Sequence, residues 1–447
     1  MPRTQKKKKI LSRQTKKTLS TYKYKYTKKK LSLKPSSNPS AKPSANPSSN
    51  PSENPSSNKF SARIILNFYN VGGGTANDKN SIKDIIENIG GIVEVVVYND
   101  IKDQLKKKFK KVDIQIFIEH VFLVNPLEMF PATQSFIFIN QEFISDWDIN
   151  RMKDKTVIPL CKTYISLNTL FKIGIKNAKY VGFGNNKQFE YIDKIDKIPN
   201  LFIQIAGPSP LKGTITIIDT WIQKRIKHPL IITANNKFEG NVKLMNYWKS
   251  LKDKSKVKIV ELPEPVLEKW EEWKALTHTT STLPRFEMIH PYSIYFCNAV
   301  LDYSIIEFLQ CIAEIHLCPS LIEGWGQYID EGRRSKSVVV TLDAPPMNEL
   351  IKDNKSGVLV KAYNGLKMRQ LLPRHWTQYS TKEEFYNKFL YGTYKTTPND
   401  LYHSINRILS MTSDAKGKLG VNALIQSKED YKNFRAKFGK VILDTLN

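Results

Sequence analysis

Short apolar runs alternate with amphipathic segments along most of the chain, beginning near residue 60. Runs of four to eight β-branched or aromatic residues predict buried strands, whereas apolar residues spaced three or four apart predict helices. The first set of predicted strands lies at 63–70, 92–99, 112–119, 134–140, 156–162 and 178–184. This alternation is typical of a parallel sheet that is covered by helices on both faces.

The pattern then starts again and predicts a second α/β unit. Its predicted strands lie at 201–206, 229–233, 256–262, 314–317, 337–342 and 357–360. One face of the first helix in this unit is apolar and carries Ile215, Ile218, Trp221 and Ile222. Two doubly wound units are therefore expected, with ligands at the carboxyl ends of their strands. The segment 270–293 fits neither pattern and has no predicted element.

A basic segment and a repetitive segment precede these two units. Residues 1–60 hold 16 Lys and Arg against one acid, so about +15 of the net charge of +27 lies there. Residues 34–58 repeat a Pro-Ser unit that has little to bury, which is typical of a semi-stiff linker. We predict a disordered basic tail over 1–33, which would attract polyanions such as nucleic acid, acidic glycan or anionic membrane without specificity. A solvated arm with no dedicated partner is the alternative.

Composition and residue spacing indicate the state of the cysteines, the cellular location and whether a metal site is expected. The four cysteines form no CxxC pair and fit no common zinc spacing, so we expect reduced core residues. No apolar run approaches the length of a transmembrane helix, and the basic start lacks the apolar core of a secretory signal. We therefore expect a cytoplasmic protein, and the basic tail leaves a nuclear location open. No metal site is predicted, because His278, His290 and His316 lack partners at ligand spacing.

The stretch EGWGQYIDE, residues 323–331, is the strongest candidate for chemistry. It follows a predicted strand and opens a predicted helix, which places Glu323 at the strand edge and Glu331 about a turn into the helix. Glycines let a ligand approach the backbone, and the amides of a helix start favour oxygen ligands. Each carboxylate accepts two hydrogen bonds, so the pair suits a ligand with several hydroxyl groups. Two solvated surface glutamates are the alternative reading of this spacing alone.

The surrounding sequence PSLIEGWGQYIDEGRRSKSVVVTLDAPPMNELIKDNKSGVLV resembles the donor-site signature of GT-B retaining glycosyltransferases of the group 1 (family 4) class. The matching features are a serine, E-G-W-G, a second glutamate eight residues after the first, a valine-rich strand and an acid in the next loop, here Glu349. Upstream, IAGPSPLKGTITIIDTW resembles the first loop of the donor domain in that family. The resemblance covers most of 200–430 by motif and 60–195 by pattern only.

The resemblance implies a GT-B fold, with two Rossmann-like domains that face a cleft. It implies an acceptor-side domain over 59–197, a donor domain over 198–427 and a helix over 428–447 that crosses back to the first domain. It also implies that no cofactor or metal is needed. The activity would be transfer of a sugar, expected to be a hexose, from a nucleotide sugar to an acceptor hydroxyl with retention of configuration. The acceptor stays open between protein, glycan and lipid.

Site roles follow from the resemblance for the matching residues only. Glu331 would bind the ribose, Glu323 would contact the transferred sugar, and Lys212 would neutralise the diphosphate, which makes Glu323 and Lys212 the catalytic candidates. The other donor-binding candidates in this region are Ser320, Gly324, Trp325 and Gly326.

The sequence departs from the family at one point. The family's second cation upstream of the lysine is replaced by Gly207, Pro208 and Ser209. Either a nearby basic residue substitutes, with Arg333 and Arg334 as candidates, or donor turnover is weak. A catalytically inactive relative that only binds sugar or nucleotide is therefore an alternative. A structural protein that acts through its basic tail is another.

The first α/β unit offers weaker candidates at its predicted strand ends. The glycine-rich loop VGGGTAND supplies Gly73 and Gly74 as donor contacts, although it lacks the full dinucleotide-binding spacing. His120 and Glu142 follow two later strands and are candidates on the acceptor side. A tight turn, a buried structural histidine and a helix cap are the respective alternatives.

Overall fold

A computed structural model of the chain describes ten segments. They are 59–67, 74–98, 109–121, 126–144, 146–207, 209–234, 242–253, 257–289, 291–367 and 392–447. The predicted tail and linker, Gly73, His290 and most of the charged segment 100–111 lie outside these residues. The four cysteines are free and buried, which confirms their prediction. Within the described segments, no helix is both long enough and apolar enough to cross a membrane.

The first domain is built on a six-stranded parallel sheet. Its strands are β1 (Phe60–Asn67), β2 (Gly91–Tyr98), β3 (Val112–Ile118), β4 (Ala132–Ile139), β5 (Ile158–Cys161) and β6 (Lys179–Tyr180), in the order β2-β1-β3-β4-β5-β6. The helices described with it are α1 (Gly74–Asn88), α2 (Pro126–Met129), α3 (Asp146–Lys153) and α4 (Tyr164–Lys172). The central strands are continuous apolar runs because both of their faces are buried, as in β4, where Phe138 on one face and Ile139 on the other are fully buried.

The second domain is built on an eight-stranded sheet. Its strands are β7 (Ile198–Gly207), β8 (Leu230–Ala234), β9 (Val257–Val260), β10 (Phe286–Ile289), β11 (Ile294–Asn298), β12 (Ala313–Cys318), β13 (Val338–Leu342) and β14 (Val358–Val360), in the order β14-β13-β12-β7-β8-β11-β10-β9. The pairs β9–β10 and β10–β11 are antiparallel, and the others are parallel. A two-stranded antiparallel pair, β15 (Tyr363–Lys367) and β16 (Gly392–Lys395), lies outside this sheet.

Helices of the second domain follow its strands. They are α5 (Thr214–Lys224), α6 (Val242–Lys252), α7 (Glu264–Thr277), α8 (Tyr303–Ile312), α9 (Gln327–Arg334), α10 (Met347–Leu350) and α11 (Pro398–Leu409). The apolar face predicted for α5 is the one that packs inward, with Ile218 and Trp221 fully buried. The unassigned segment 270–293 holds the end of α7 and the strand β10, whose antiparallel pairing breaks the α/β alternation.

One long helix joins the two domains. The helix α12 (Ser413–Leu446) has 34 residues and begins well before the predicted position 428. Its first half packs beside α9 and β13, whereas Phe434 and Phe438 stack edge-on against Phe138 of β4. Those rings belong to one continuous hydrophobic core that also contains residues of the second sheet. The two domains therefore share part of their core through α12.

Candidate functional site

A cavity of about 470 Å³ lies between the carboxyl ends of the two sheets. We call it the main cavity. Its lining from the first domain is Gly74, Thr75, Asp78, Glu119, Asn140, Glu142 and Lys162, and from the second domain it is Ile205, Ala206, Gly207, Ser209, Lys212, Glu323, Gly324, Trp325, Gly326, Gln327, Tyr328 and Glu331. Most residues proposed from the 323–331 motif and from the 206–214 loop therefore meet in one place.

Two glycines shape the second-domain side of the main cavity. Gly326 has a φ of 112° immediately before α9, which is a conformation that a residue with a side chain rarely adopts. Gly213 has a φ of 72° before α5, and a Cβ there would lie 2.3 Å from the carbonyl oxygen of Pro319. The loops that follow β7 and β12 therefore pack backbone against backbone. This contact brings Lys212 beside the EGWG loop.

Lys212 and Glu323 form an ion pair at this contact. The Nζ of Lys212 donates to Oε1 of Glu323, and the hydroxyl of Ser320 donates to the same oxygen. Burial alone would lower the pKa of Lys212, but the charge and hydrogen bond of Glu323 outweigh it and hold that pKa above its ordinary value. The Nζ also lies 4.3 Å from the centre of the Tyr328 ring. A fixed, charged ammonium group therefore faces the main cavity.

Glu331 lines the same cavity from the first turns of α9. Its Oε2 accepts a hydrogen bond of 2.8 Å from Nε2 of Gln310. Burial raises the pKa of Glu331, while the nearby charge of Lys187 and the bond from Gln310 oppose that rise. The carboxylate retains lone pairs for hydroxyl groups of a ligand.

The opposite wall, from the first domain, carries a polar cluster that the sequence motifs did not reveal. Lys162, the residue after β5, donates to Oδ2 of Asp78 and, over 2.9 Å, to Oδ1 of Asn140. Asn140 donates in turn to Glu119, whose φ of 71° is unusual for a residue with a side chain. A backbone outlier at a strand end is a feature of functional sites. Glu119, Asn140 and Lys162 each follow a different strand, and Asp78 lies in α1, so no local spacing marks the set.

The two walls also contact each other. Nε2 of Gln141 donates to the backbone oxygen of Glu323 over 3.1 Å. A Cβ on Gly324 would lie 2.7 Å from the side chain of Asn140, and a Cβ on Gly74 would lie 2.5 Å from Oε1 of Gln327. These two glycines therefore allow the domains to approach closely at the main cavity.

The acceptor-side candidates have different positions. Glu142 is half-buried in the wall of the main cavity. His120 is buried, does not line this cavity, and lies 3.0 Å through Nδ1 from Oδ2 of Asp148. This geometry matches the alternative of a structural histidine.

The alternative in which Arg333 or Arg334 substitutes for the absent upstream cation is disfavoured, because neither side chain lines the main cavity. Arg333 is fully buried and bonds Asp330 and Asp430 over 2.6 Å each. Arg334 bonds Oδ2 of Asp330 over 3.0 Å and the backbone oxygen of Lys187. Their charges are compensated inside the second domain. Among the residues that the structure describes, the second cation that lines the main cavity is Lys162, on the opposite wall.

Glu349 contacts the first domain, a position that its sequence match did not reveal. Its two carboxylate oxygens accept hydrogen bonds from the backbone amides of Tyr164, over 2.8 Å, and Ile165, over 3.0 Å. These amides are the first of α4, where a negative charge is stabilised by the helix dipole. A side chain of the second domain therefore caps a helix of the first.

We predict that Glu349→Ala loosens the contact between the domains. Hydrogen bonds to charged groups contribute about 1.5–3 kcal/mol each, so losing two disfavours the contact between the domains by about 100-fold or more. Small-angle scattering would show a larger radius of gyration. Glu349→Gln, which keeps one acceptor oxygen, is the matched control and should change it less. An unchanged radius in Glu349→Ala would show that the cap on α4 does not hold the domains together.

A second prediction concerns pH. Burial and the negative charge of Glu323 raise the pKa of Glu142 to about 8, against an unperturbed value of 4.5. The folded protein thus binds this proton more tightly than the unfolded chain, so the stability it contributes is present below about pH 4.5 and is lost as the pH rises through 8. The melting temperature of Glu142→Gln minus that of the wild type should therefore increase from pH 5 to pH 9. A constant difference between their melting temperatures would refute the assignment.

No protein-family model matches the chain, and no curated protein sequence matches it. Solved structures do match it. The described domains have the GT-B fold, in which two Rossmann-like domains face a cleft. This confirms the predicted fold class for the described residues.

Three similar structures illustrate the match. A glycosyltransferase from Rickettsia africae matches over 87% of this chain and 99% of its own, with a TM-score of 0.55 and 12% identity. Sucrose-phosphate synthase from Thermosynechococcus elongatus matches over 85% and 98%, with a TM-score of 0.53 and 9% identity. Anabaena HepE in complex with UDP and glucose matches over 86% and 100%, with a TM-score of 0.51 and 12% identity.

Proposed function

We propose that the protein is a glycosyltransferase that moves a sugar from a nucleotide-sugar donor to an acceptor hydroxyl. The observation that carries this proposal is the meeting of Lys212, Glu323 and Glu331 in one cavity between two Rossmann-like domains. The structure of HepE, which shares this fold, was solved with UDP and glucose. That complex supports a uridine nucleotide as the first donor to test.

Each of the three residues has a defined part in this proposal. Glu331 accepts hydrogen bonds from the ribose, and Glu323 accepts them from hydroxyls of the transferred sugar. Lys212 neutralises the diphosphate, which gains negative charge as the glycosidic bond to the sugar breaks. A preorganised cation stabilises that charge more than solvent would. This arrangement supports transfer without a metal, and retention of configuration remains an inference from the resemblance.

A small apolar cavity of about 90 Å³ adjoins the main cavity and offers a place for the nucleobase. The two cavities share Ile205 and Gly207, and the rest of the lining comes from the ends of β8, β11 and α8. Its walls include Thr233, Ala234 and Val300. Ligands of doubly wound sheets bind at these strand ends.

Release of nucleoside diphosphate from a panel of UDP-, GDP- and ADP-sugars tests the proposal. The full-length chain should release it from one donor, and Glu323→Ala should abolish that release. Glu268→Ala, which removes an exposed glutamate of α7, is the matched control. The anomeric configuration of the product, read by NMR, tests retention. Absence of both release and nucleotide binding would overturn the proposal.

A donor-binding protein without turnover is the second candidate. It is favoured by one observation, namely that Arg333 and Arg334 are held in a buried network while Gly207 and Ser209 occupy the positions before Lys212. Tight nucleotide binding without release from any donor, in the presence of mixed glycan, peptide and lipid acceptors, would support this candidate instead. Polyanion binding by residues 1–33 stays a separate prediction, because they lie outside the described residues.

A further inference from the structure

A second cavity, of about 240 Å³, lies next to the main cavity, and we call it the junction cavity. The two cavities share Lys162 and Trp325 in their walls. The remaining lining comes from the start of α4, from the segment that includes β6, from α10 and from α12. These residues are Thr163, Tyr164, Tyr180, Val181, Gly182, Phe183, Glu349, Leu350, Asp430, Asn433, Phe434 and Lys437.

Aromatic rings form much of the junction cavity. The rings of Tyr164 and Tyr180 are stacked with centroids 3.9 Å apart, and the rings of Phe183 and Trp325 meet edge to face at 5.0 Å. Tyrosine and tryptophan offer an apolar surface together with a polar group. A ligand that fits such walls has carbon-bound hydrogens on one side and hydroxyl groups on its edges.

The charges of the junction cavity balance. Lys162 and Lys437 contribute two positive charges, and Glu349 and Asp430 contribute two negative charges. Lys162 is already paired with Asp78, and Asp430 is paired with Arg333 over 2.6 Å. Both Glu349 oxygens accept backbone hydrogen bonds, and exposed Lys437 lies 4.7 Å over the Tyr180 ring. An ionic ligand bound at Lys162, Asp430 or Glu349 would have to displace one of these partners, whereas a neutral ligand with hydroxyl groups would use the lone pairs and protons that remain.

The size of the junction cavity suits one small ring. Its volume lies below the range of about 300–1,000 Å³ that is usual for drug-sized ligands. A nucleotide or an extended lipid tail exceeds it, and a single monosaccharide unit does not. The cavity reaches solvent beside half-exposed Tyr164 and exposed Asn433 and Lys437. The rest of an oligosaccharide would leave the cavity there.

We propose that the junction cavity is a carbohydrate subsite that holds one neutral sugar unit of the acceptor. Because Lys162 and Trp325 line both cavities, the cavities adjoin there, and a glycan with one unit in each would pass these two side chains. The acceptor is therefore a neutral glycan of at least two sugars rather than a lipid or a protein hydroxyl. The assignment to the acceptor rests on the proposed glycosyl transfer, whereas the existence of the sugar site does not.

Binding of neutral sugars to the full-length chain, measured by calorimetry with saturating UDP present, tests the subsite without turnover. The probes are methyl glucoside, maltose and cellobiose, with glucose 6-phosphate as the anionic comparison. Loss of one aromatic contact in Tyr164→Ala should weaken disaccharide binding by about 3- to 10-fold, and Tyr164→Phe should restore it. At least one disaccharide should bind about tenfold more tightly than methyl glucoside, and glucose 6-phosphate should bind least.

Three results would overturn the proposal. Sugar binding that is unchanged in Tyr164→Ala but lost in Glu323→Ala would place the sugar in the main cavity. Equal affinity for methyl glucoside and both disaccharides would remove the assignment to a glycan acceptor, and the absence of all sugar binding would remove the subsite. A failure of the proposed transferase activity would appear instead as missing diphosphate release, with these binding results intact.

Discussion

Lys212→Ala is expected to reduce nucleoside diphosphate release by on the order of 10²–10³-fold, with a smaller effect on nucleotide affinity. The reason is that the diphosphate carries more negative charge in the transition state than in the bound donor, so its cation contributes most there. Lys212 is held at the cavity wall by Glu323 and by the close contact between the loops that follow β7 and β12. Steady-state kinetics with the preferred donor measure the effect as a loss in kcat.

Two further variants make this expectation specific. Lys212→Arg keeps the charge and should retain more activity than Lys212→Ala, although the planar guanidinium group does not reproduce the geometry of the ammonium group. Lys258→Ala removes an exposed lysine of β9, far along the sheet order from β7, and serves as the matched control. If Lys212→Ala and Lys258→Ala had equal kcat, Lys212 would not be the diphosphate cation.

Asp330→Ala is expected to lower the free energy of unfolding by about 3–5 kcal/mol, since it leaves two buried guanidinium groups without their shared carboxylate. Asp330 bonds Arg333 over 2.6 Å and Arg334 over 3.0 Å, and it accepts a bond of 2.6 Å from the hydroxyl of Ser427 in α12. Chemical denaturation measures the loss. Asp330 is the residue before Glu331 in α9, so Asp330→Ala should also lower the affinity for the donor.

Asp253→Ala is the control for this variant, because Asp253 is exposed just after α6. It should change the free energy of unfolding by less than about 0.5 kcal/mol, as is usual for surface positions. A similar small change in Asp330→Ala would show that the arginines find other partners. It would also remove the argument that this network fixes the orientation of α9.

The sequence pointed to more cavity-lining residues in the second domain than in the first, because those of the second domain lie in contiguous motifs. The EGWG loop, Glu331 and Lys212 occupy two short segments, and chain connectivity alone keeps each segment at a strand end. Lys162 and Asp78 belong to different strand–helix units, and only the folded sheet brings them together. A single lysine after an apolar strand carries no spacing to recognise, so this half of the site needed the structure.

Two other differences between prediction and structure have physical causes, which are burial for the arginines and antiparallel pairing for β10. Arg333 and Arg334 are charged and close in sequence to the motif, but α9 turns them away from the main cavity and into contact with Asp330. The strand β10 was missed because antiparallel pairing at the end of an otherwise parallel sheet leaves no repeating strand–helix pattern. Periodicity reports which face of a helix is apolar, and it does not report which polar side chains find partners inside.

The sharing of a core through α12 has a consequence for the order in which the protein matures during synthesis. Domains that emerge early from the ribosome generally fold as units before the later ones are made. Here the rings of Phe434 and Phe438, which complete the packing around Phe138 in the first sheet, follow in the chain only after the whole second domain. If the first domain folds before α12 is made, the Phe138 ring therefore lacks these two neighbours until α12 docks.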